Sequence, residues 1–329
     1  MDRTQGRSAR DSRGGAARLA IAVVFLGACA AVLFLALTGR LPNPAKSSSS
    51  AAGPTTGTSA GLQVRSELDD YSWAEIAQIA SQIEAAPDDA TALSIASTYH
   101  LANSDGSLPG DAKSMTLSDG TQSGAQIVGI RHDDKSDGTG KAGLTFVTTS
   151  AIASRPMNSG GGVEGGWEAS EMRAWLAADG MALLPSDLAG SVVAVDKASN
   201  NVGSARDTSA ISLTSDRLWL LSAHETAGNI DWFKTEYGSD FAYLDDVTNA
   251  EGSQYRLFSQ KKVSSTSDPT GTLARAFAGK RTAWWYRTAF QFVYQGLESR
   301  WFYTVLDSGF PHGYAAPESS AGVVVGFCV

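Results

Sequence analysis

The chain has 329 residues, 43% of them hydrophobic, which suits a folded protein with one large domain or two modest ones. Its 26 basic and 34 acidic residues are unevenly placed: from residue 47 onward, 19 basic side chains stand against 32 acidic ones. That balance argues against nucleic acid and anionic lipid as partners, because phosphate binding rests on neutralisation by Lys and Arg.

Leu19 to Gly39, "LAIAVVFLGACAAVLFLALTG", has no charged residue. At about 1.5 Å rise per residue it is long enough to cross a hydrocarbon core of roughly 30 Å, and it predicts a single transmembrane helix. Arg3, Arg7, Arg10, Arg13 and Arg18 outnumber Asp2 and Asp11 before it, which assigns residues 1–18 to the cytoplasm. The expected localisation is therefore the cell membrane, with contact through residues 19–39 and an extracellular C-terminal domain. A cleaved signal peptide is one alternative, although its apolar region usually spans only about 7 to 15 residues. Lipidation at Cys29 within "LGAC" is another, and the apolar run beyond Cys29 speaks against it.

Residues 40–66 are rich in Ser, Thr, Gly and Pro and predict a flexible linker. Ordered structure is expected from residue 67. Ser72 and Glu75 match a capping box, and Trp73, Ile76, Ala77, Ala80 and Ile83 fall on one helical stripe over 73–86. Pro87 breaks that pattern, Asp88 can cap, and Leu93, Ala96 and Tyr99 mark a second helix. A helical hairpin over 67–104 is too small to be stable alone, so it should pack on the domain C-terminal to it.

From Met115 the period changes. Asp119-Gly120 is a two-residue hairpin signal, and "AQIVGIRH" and "AGLTFVTT" flank the polar loop "DDKSDGTGK", which predicts three antiparallel strands between about 113 and 150. "WEASEMRAWLAADG" predicts a short helix ended by Gly180. "SVVAVDKAS" and "DRLWLLS" read as strands, and Ser222 with Glu225 forms a second capping box at "AHETAG". Beyond it the chain reads as short strands and long polar loops with aromatics. The mixture is α+β with irregular connections, which disfavours a Rossmann-like or barrel enzyme.

Chemistry is sparse. Asp133, Asp134 and Asp137 offer oxygens for calcium, but Lys135 and Leu144 occupy positions where an EF-hand loop wants ligands, so a solvated hairpin loop is the better reading and no metal is expected. His100, His132, His224 and His312 are the only histidines. No G-x-S-x-G, P-loop, paired cysteines or zinc-protease helix accompanies them, so no catalytic residue and no cofactor is assigned. Cys328 lies in the apolar "GVVVGFCV" and reads as core. Most of Trp167, Trp175, Trp219, Trp284, Trp285 and Trp301 should be core as well. In "RTAWWYRTAF", strand alternation sets Trp284 and Tyr286 on one face, Trp285 and Arg287 on the other.

The segments "GGWEASEMRAWL", "TSDRLWLLSAHET", "EGSQYRLF", "WWYRT" and "GVVVGFCV" resemble, in order and spacing, the bacterial family known as domain of unknown function 6273. The resemblance covers about Gly161 to Val329, and "YSWAEIAQIA" and "GIRHDDKSDGTGKAGLTF" resemble the companion region of its membrane-anchored members. It implies a C-type-lectin-like scaffold, similar in layout to formylglycine-generating-type domains, over 105–329. Two motifs depart from the family pattern: its W-W-L-R-S reads Trp284-Trp285-Tyr286-Arg287-Thr288, and its final Arg-Pro is Val324-Val325. The cysteines of the formylglycine-generating enzymes have no counterpart, so their copper chemistry is not implied.

The function expected on these grounds is cell-surface, non-catalytic binding of an extracellular glycan or protein. Contacts are expected from the loops Ile230 to Thr248 and Leu306 to Ala321, with Trp285, Arg287, Tyr314, Asp245 and Asp246 as candidate ligand-binding residues. An extracellular hydrolase using Asp245 and Asp246 is a rival reading, and so is a purely structural envelope protein. Arg287 paired with a buried carboxylate would move "WWYRT" from site to core.

Overall fold

The computed structural model describes residues 62–204 and 206–329. The basic tail, the apolar segment 19–39 and the linker up to residue 61 lie outside the described residues. Among the described residues no helix is long and apolar enough to cross a membrane. The expected fold class is corrected accordingly: among the described residues the fold is mixed helix and strand with antiparallel sheets, and no transmembrane helix is observed there. The longest described helix has 12 residues and spans only about 18 Å.

Helices α1 (Trp73–Glu84) and α2 (Asp89–Thr98) form the hairpin. The Ser72 hydroxyl accepts the Glu75 N–H, and the Glu75 carboxylate accepts the Ser72 N–H in return. Asp88 accepts the Thr91 N–H at 2.7 Å, so both helices start on side-chain caps. α1 buries Trp73, Ile76, Ile79, Ala80 and Ile83. The Trp73 ring meets Phe146 edge-on at 5.5 Å and Phe327 at 6.0 Å, which docks the hairpin on the sheet beneath. Gly143 permits this approach, since a Cβ there would collide with the Ala80 carbonyl.

Strands β1 (Ala112–Thr116), β2 (Gln122–Ile130) and β3 (Leu144–Thr148) form an antiparallel meander. Its first turn holds Gly120 at φ 86, where a side chain would be strained. β4 (Ala153–Arg155) precedes α3 (Glu171–Trp175), which runs through a π-type turn into α4 (Met181–Leu183). Gly180 does not end the helix as expected: it sits at φ −61, ψ −44 inside the continuing turn. After α5 (Ser186–Ala189), β5 (Val195–Asn200) pairs with β6 (Ile211–Asp216), and β7 (Trp219–Leu220) leads into α6 (Ala223–Ala227) with its Ser222–Glu225 capping box.

The stretch expected as a long loop from Ile230 is instead largely helical, with α7 (Trp232–Tyr237), α8 (Ala242–Asn249) and α9 (Arg256–Gln260). The cap that starts α7 is remote: Asp245 on α8 accepts the N–H groups of Phe233 and Lys234 at 3.0 and 2.8 Å. β8 (Arg275–Phe277) and β9 (Lys280–Thr282) make a small hairpin. Then come the two longest strands of this half, β10 (Trp284–Tyr294) and β11 (Leu297–Val305), and last β12 (Gly313–Ala315), β13 (Ala321–Val323) and β14 (Val325–Cys328).

Two five-stranded sheets result, ordered β1-β2-β3-β14-β7 and β12-β11-β10-β13-β4. The terminal apolar run joins them. Gly322 pairs with Trp284 in one sheet, and Gly326 pairs with Val147 in the other. Its residues Val323, Val324, Val325, Phe327 and Cys328 are all buried.

Candidate functional site

Strand β10 carries most of what the sequence singled out, and it has two halves. A bulge between Trp285 and Ala289 interrupts its pairing with β11. Within it the Arg287 N–H donates to the Leu221 carbonyl at 3.0 Å, which turns the guanidinium into the space between elements. Arg287 is fully buried and forms a two-point pair with Glu225 at 2.5 and 3.0 Å. Glu225 also pairs with Lys197 at 2.5 Å, and Lys197 with Asp133 at 2.6 Å. Tyr255 and Thr145 donate to the same Asp133 carboxylate, and the Lys197 ammonium lies 4.7 Å from the centre of the Trp219 ring.

The charges in this cluster are matched. Burial pushes the Asp133 carboxyl up, but the charges of Lys197 and His132 outweigh it and hold it at about 2. Glu225 is likewise lowered despite burial, by Arg287 and Lys197. Glu251 differs: its carboxylate accepts the Asn200 N–H at 2.6 Å and the Thr288 hydroxyl, and burial raises it to about 7. The cluster ties β5, α6, β10 and the loop before β3 together, and Arg287, Glu225, Lys197 and Asp133 each have a charged partner within it.

The second half of β10 lines a cleft. Phe290 and Phe292 point to one face by strand alternation, opposite Trp301 and Ser299 of β11 in register. Trp232, Phe233, Glu236 and Tyr237 of α7 close one side, and Tyr303, His312 and Tyr314 the other, around a cavity of about 110 Å³. Trp232 stacks on His312 at 4.1 Å with 4° between the planes, and its indole N–H donates to the Ser265 carbonyl at 2.7 Å. Trp301 and Tyr314 meet at 5.5 Å and 62°, Phe290 and Tyr314 at 6.0 Å and 86°. Trp301 is half-buried and Tyr314 is 53% exposed, so ring faces reach solvent here. Burial lowers His312 to about 4, which leaves it neutral at pH 7. Burial and then the Glu236 charge raise the Tyr314 hydroxyl.

Of the expected ligand-binding residues, the structure brings only Tyr314 to this cleft. Trp285 is buried and donates its indole N–H to the Arg155 carbonyl at 2.8 Å, and Arg287 sits in the charge cluster, so both belong to the core. Asp245 is buried as the cap of α7, and Asp246 beside it on α8 is exposed. The calcium candidates do not converge. Asp133 holds Lys197, Asp134 pairs with Lys141 at 3.2 Å, and Asp137 accepts the Thr139 N–H at 2.9 Å. No cluster of three or more metal-ligating side chains occurs among the described residues. Sequence reasoning did not single out Glu236 or Trp232 for this site. The signal was the aromatic density of "DWFKTEY" followed by alternating aromatics in β10 and β11.

Together these features define an α+β domain built on two five-stranded sheets and two strand pairs, with a buried charge cluster and an open aromatic cleft on one long strand. The sequence profile of the family described as Domain of unknown function (DUF6273) matches residues 142–329, and the chain belongs to that family. No curated protein and no solved structure matches the chain. Every cleft residue lies inside the family match, whereas Asp133 and the helical hairpin precede it.

Proposed function

We propose that residues 62–329 are a non-catalytic ligand-binding module of the adhesin type, displayed at the cell surface, and that the aromatic cleft is where a glycan- or protein-borne group is held. The observation that carries this reading is the cleft: solvent-reaching ring faces of Trp301 and Tyr314 over a cavity of about 110 Å³. Concave, mostly aromatic pockets with few polar groups are the usual form of a small-ligand site. The acidic balance of this region supports a partner other than nucleic acid.

The hydrolase reading loses its residue pair. Asp245 and Asp246 are successive on α8 and so point about 100° apart, with Asp245 engaged as a cap. Two carboxylates facing each other across a pocket are what glycoside hydrolysis needs. The test is to probe glycan and peptide arrays with the full chain and with its Trp301→Ala variant. Ligands retained by the parent and lost by the variant are the expected result; arrays blank for both, or retention equal in both, would sink the reading.

A further inference from the structure

We propose that the cleft formed by α7, β10, β11 and β12 binds a methylated ammonium group, with the aromatic rings as walls and Glu236 as counter-charge. This inference rests on the ligand-binding reading above and names the chemistry of the group held.

Size comes first. A cavity of about 110 Å³ is smaller than the roughly 150 Å³ apolar cavity known to accept benzene. A compact tetrahedral head fits such a space, and the lining is mostly aromatic, with polar groups confined to Glu236, Ser299, His312 and the tyrosine hydroxyls.

Shape is the second argument. Tyr314 stands at 62° to Trp301 and at 86° to Phe290, so the walls form a box and not a parallel slot. A flat ligand prefers a slot, whereas an ammonium is attracted to every ring face within about 6 Å of its centre. A primary ammonium needs hydrogen-bond acceptors on three sides, and aromatic carbon supplies none. Methyl groups on the nitrogen remove that need and fill the box.

Charge is the third. Glu236 is the only formally charged side chain on the lining, it is exposed, and it has no ion pair among the described residues. His312, stacked against Trp232, is held neutral by burial, so no cation competes from within. The carboxylate at the rim also selects against a carrier that places an anion beside its ammonium.

Isothermal titration of the full chain with three probes tests this: choline, tert-butylethanol (the uncharged alcohol with carbon in place of the choline nitrogen) and phosphocholine. Choline should bind saturably and about tenfold more tightly than the neutral alcohol, with phosphocholine weaker than choline. Glu236→Gln should remove most of the preference for choline over the alcohol with a thermal melt close to the parent's, and Trp301→Ala should abolish binding while still unfolding cooperatively, a few degrees below the parent. If the neutral alcohol binds as tightly as choline, the cation claim is overturned while the ligand-binding reading stands. If phosphocholine binds best, the role of Glu236 is overturned. If none of the three binds, the proposal fails, and the array experiment decides separately whether the cleft binds anything else.

Discussion

The first residues of β10, Trp284 to Thr288, and its last, Phe290 to Tyr294, are both rich in aromatic side chains, and only the first group carries a charge, Arg287. In the first half every ring and charge has a partner: Arg287 has Glu225, Trp285 has the Arg155 carbonyl and Trp284 has the Leu273 carbonyl at 2.7 Å. In the second half Phe290 and Phe292 are buried against Phe233, but they back an open cavity whose rim rings, Trp301 and Tyr314, reach solvent and whose one lining carboxylate, Glu236, is exposed. Aromatic-plus-charge composition therefore does not mark a site by itself. What separates site from scaffold is whether charge is compensated and ring faces are covered, and both depend on elements distant in sequence.

The largest expected effect lies in the sealed half. Arg287→Met would leave Glu225 buried with only Lys197 as counter-ion and should cost about 3–5 kcal/mol in urea unfolding. Pairing it with Glu225→Leu should recover a good part of that loss. A single variant as stable as the parent would break the distinction between the halves.

Next comes a pH effect. Glu251 holds its proton more tightly folded than unfolded, rising from an ordinary carboxyl value of 4.5 to about 7. Between those values Glu251 binds fewer protons in the unfolded state, so its own contribution to stability falls as pH rises, by up to about 3 kcal/mol across the window. Asp133, lowered to about 2, has the opposite sign, and its contribution is lost only as pH falls below its ordinary 3.8. His312, lowered to about 4 by burial, and His132, also lowered by burial, work against Glu251 between about pH 4 and 6.5, because the unfolded imidazoles bind more protons there. The parent should therefore show no net fall over that range, and Glu251→Gln should make stability rise more steeply with pH through it.

Smaller still is the stability cost of Trp301→Ala, about 1–2 kcal/mol because the ring is only half-buried, while ligand binding is lost. The smallest expected effect is none: millimolar calcium should leave the melting temperature unchanged, because Asp133, Asp134 and Asp137 are already engaged separately. A rise above about 1 °C would indicate a bound ion.

Much of the scaffold was legible where signals are local. Both capping boxes and the first three strands depend on residues a few positions apart, and all are present. Asp119-Gly120 does lie in the turn between β1 and β2, but that connection runs from Leu117 to Thr121 and is not a two-residue hairpin. α7 was not legible, since its cap comes from Asp245, about a dozen residues later. Nor did Gly180 announce that the preceding helix continues through it. The Arg287–Glu225 pair could be anticipated only as some buried carboxylate, because a buried charge is decided by a partner 62 residues away. The cleft draws on four segments, and no spacing rule brings Glu236 to Trp301.

The most direct test of the difference between the two halves is an amide-resolved NMR titration of the full chain with choline. Saturable shifts should be confined to α7, the Phe290–Tyr294 end of β10, β11 and Gly313–Ala315, with the Trp284–Thr288 and Glu225 amides unmoved. Shifts centred on Trp285 and Arg287, or none at the cleft, would contradict the division of β10 into scaffold and site.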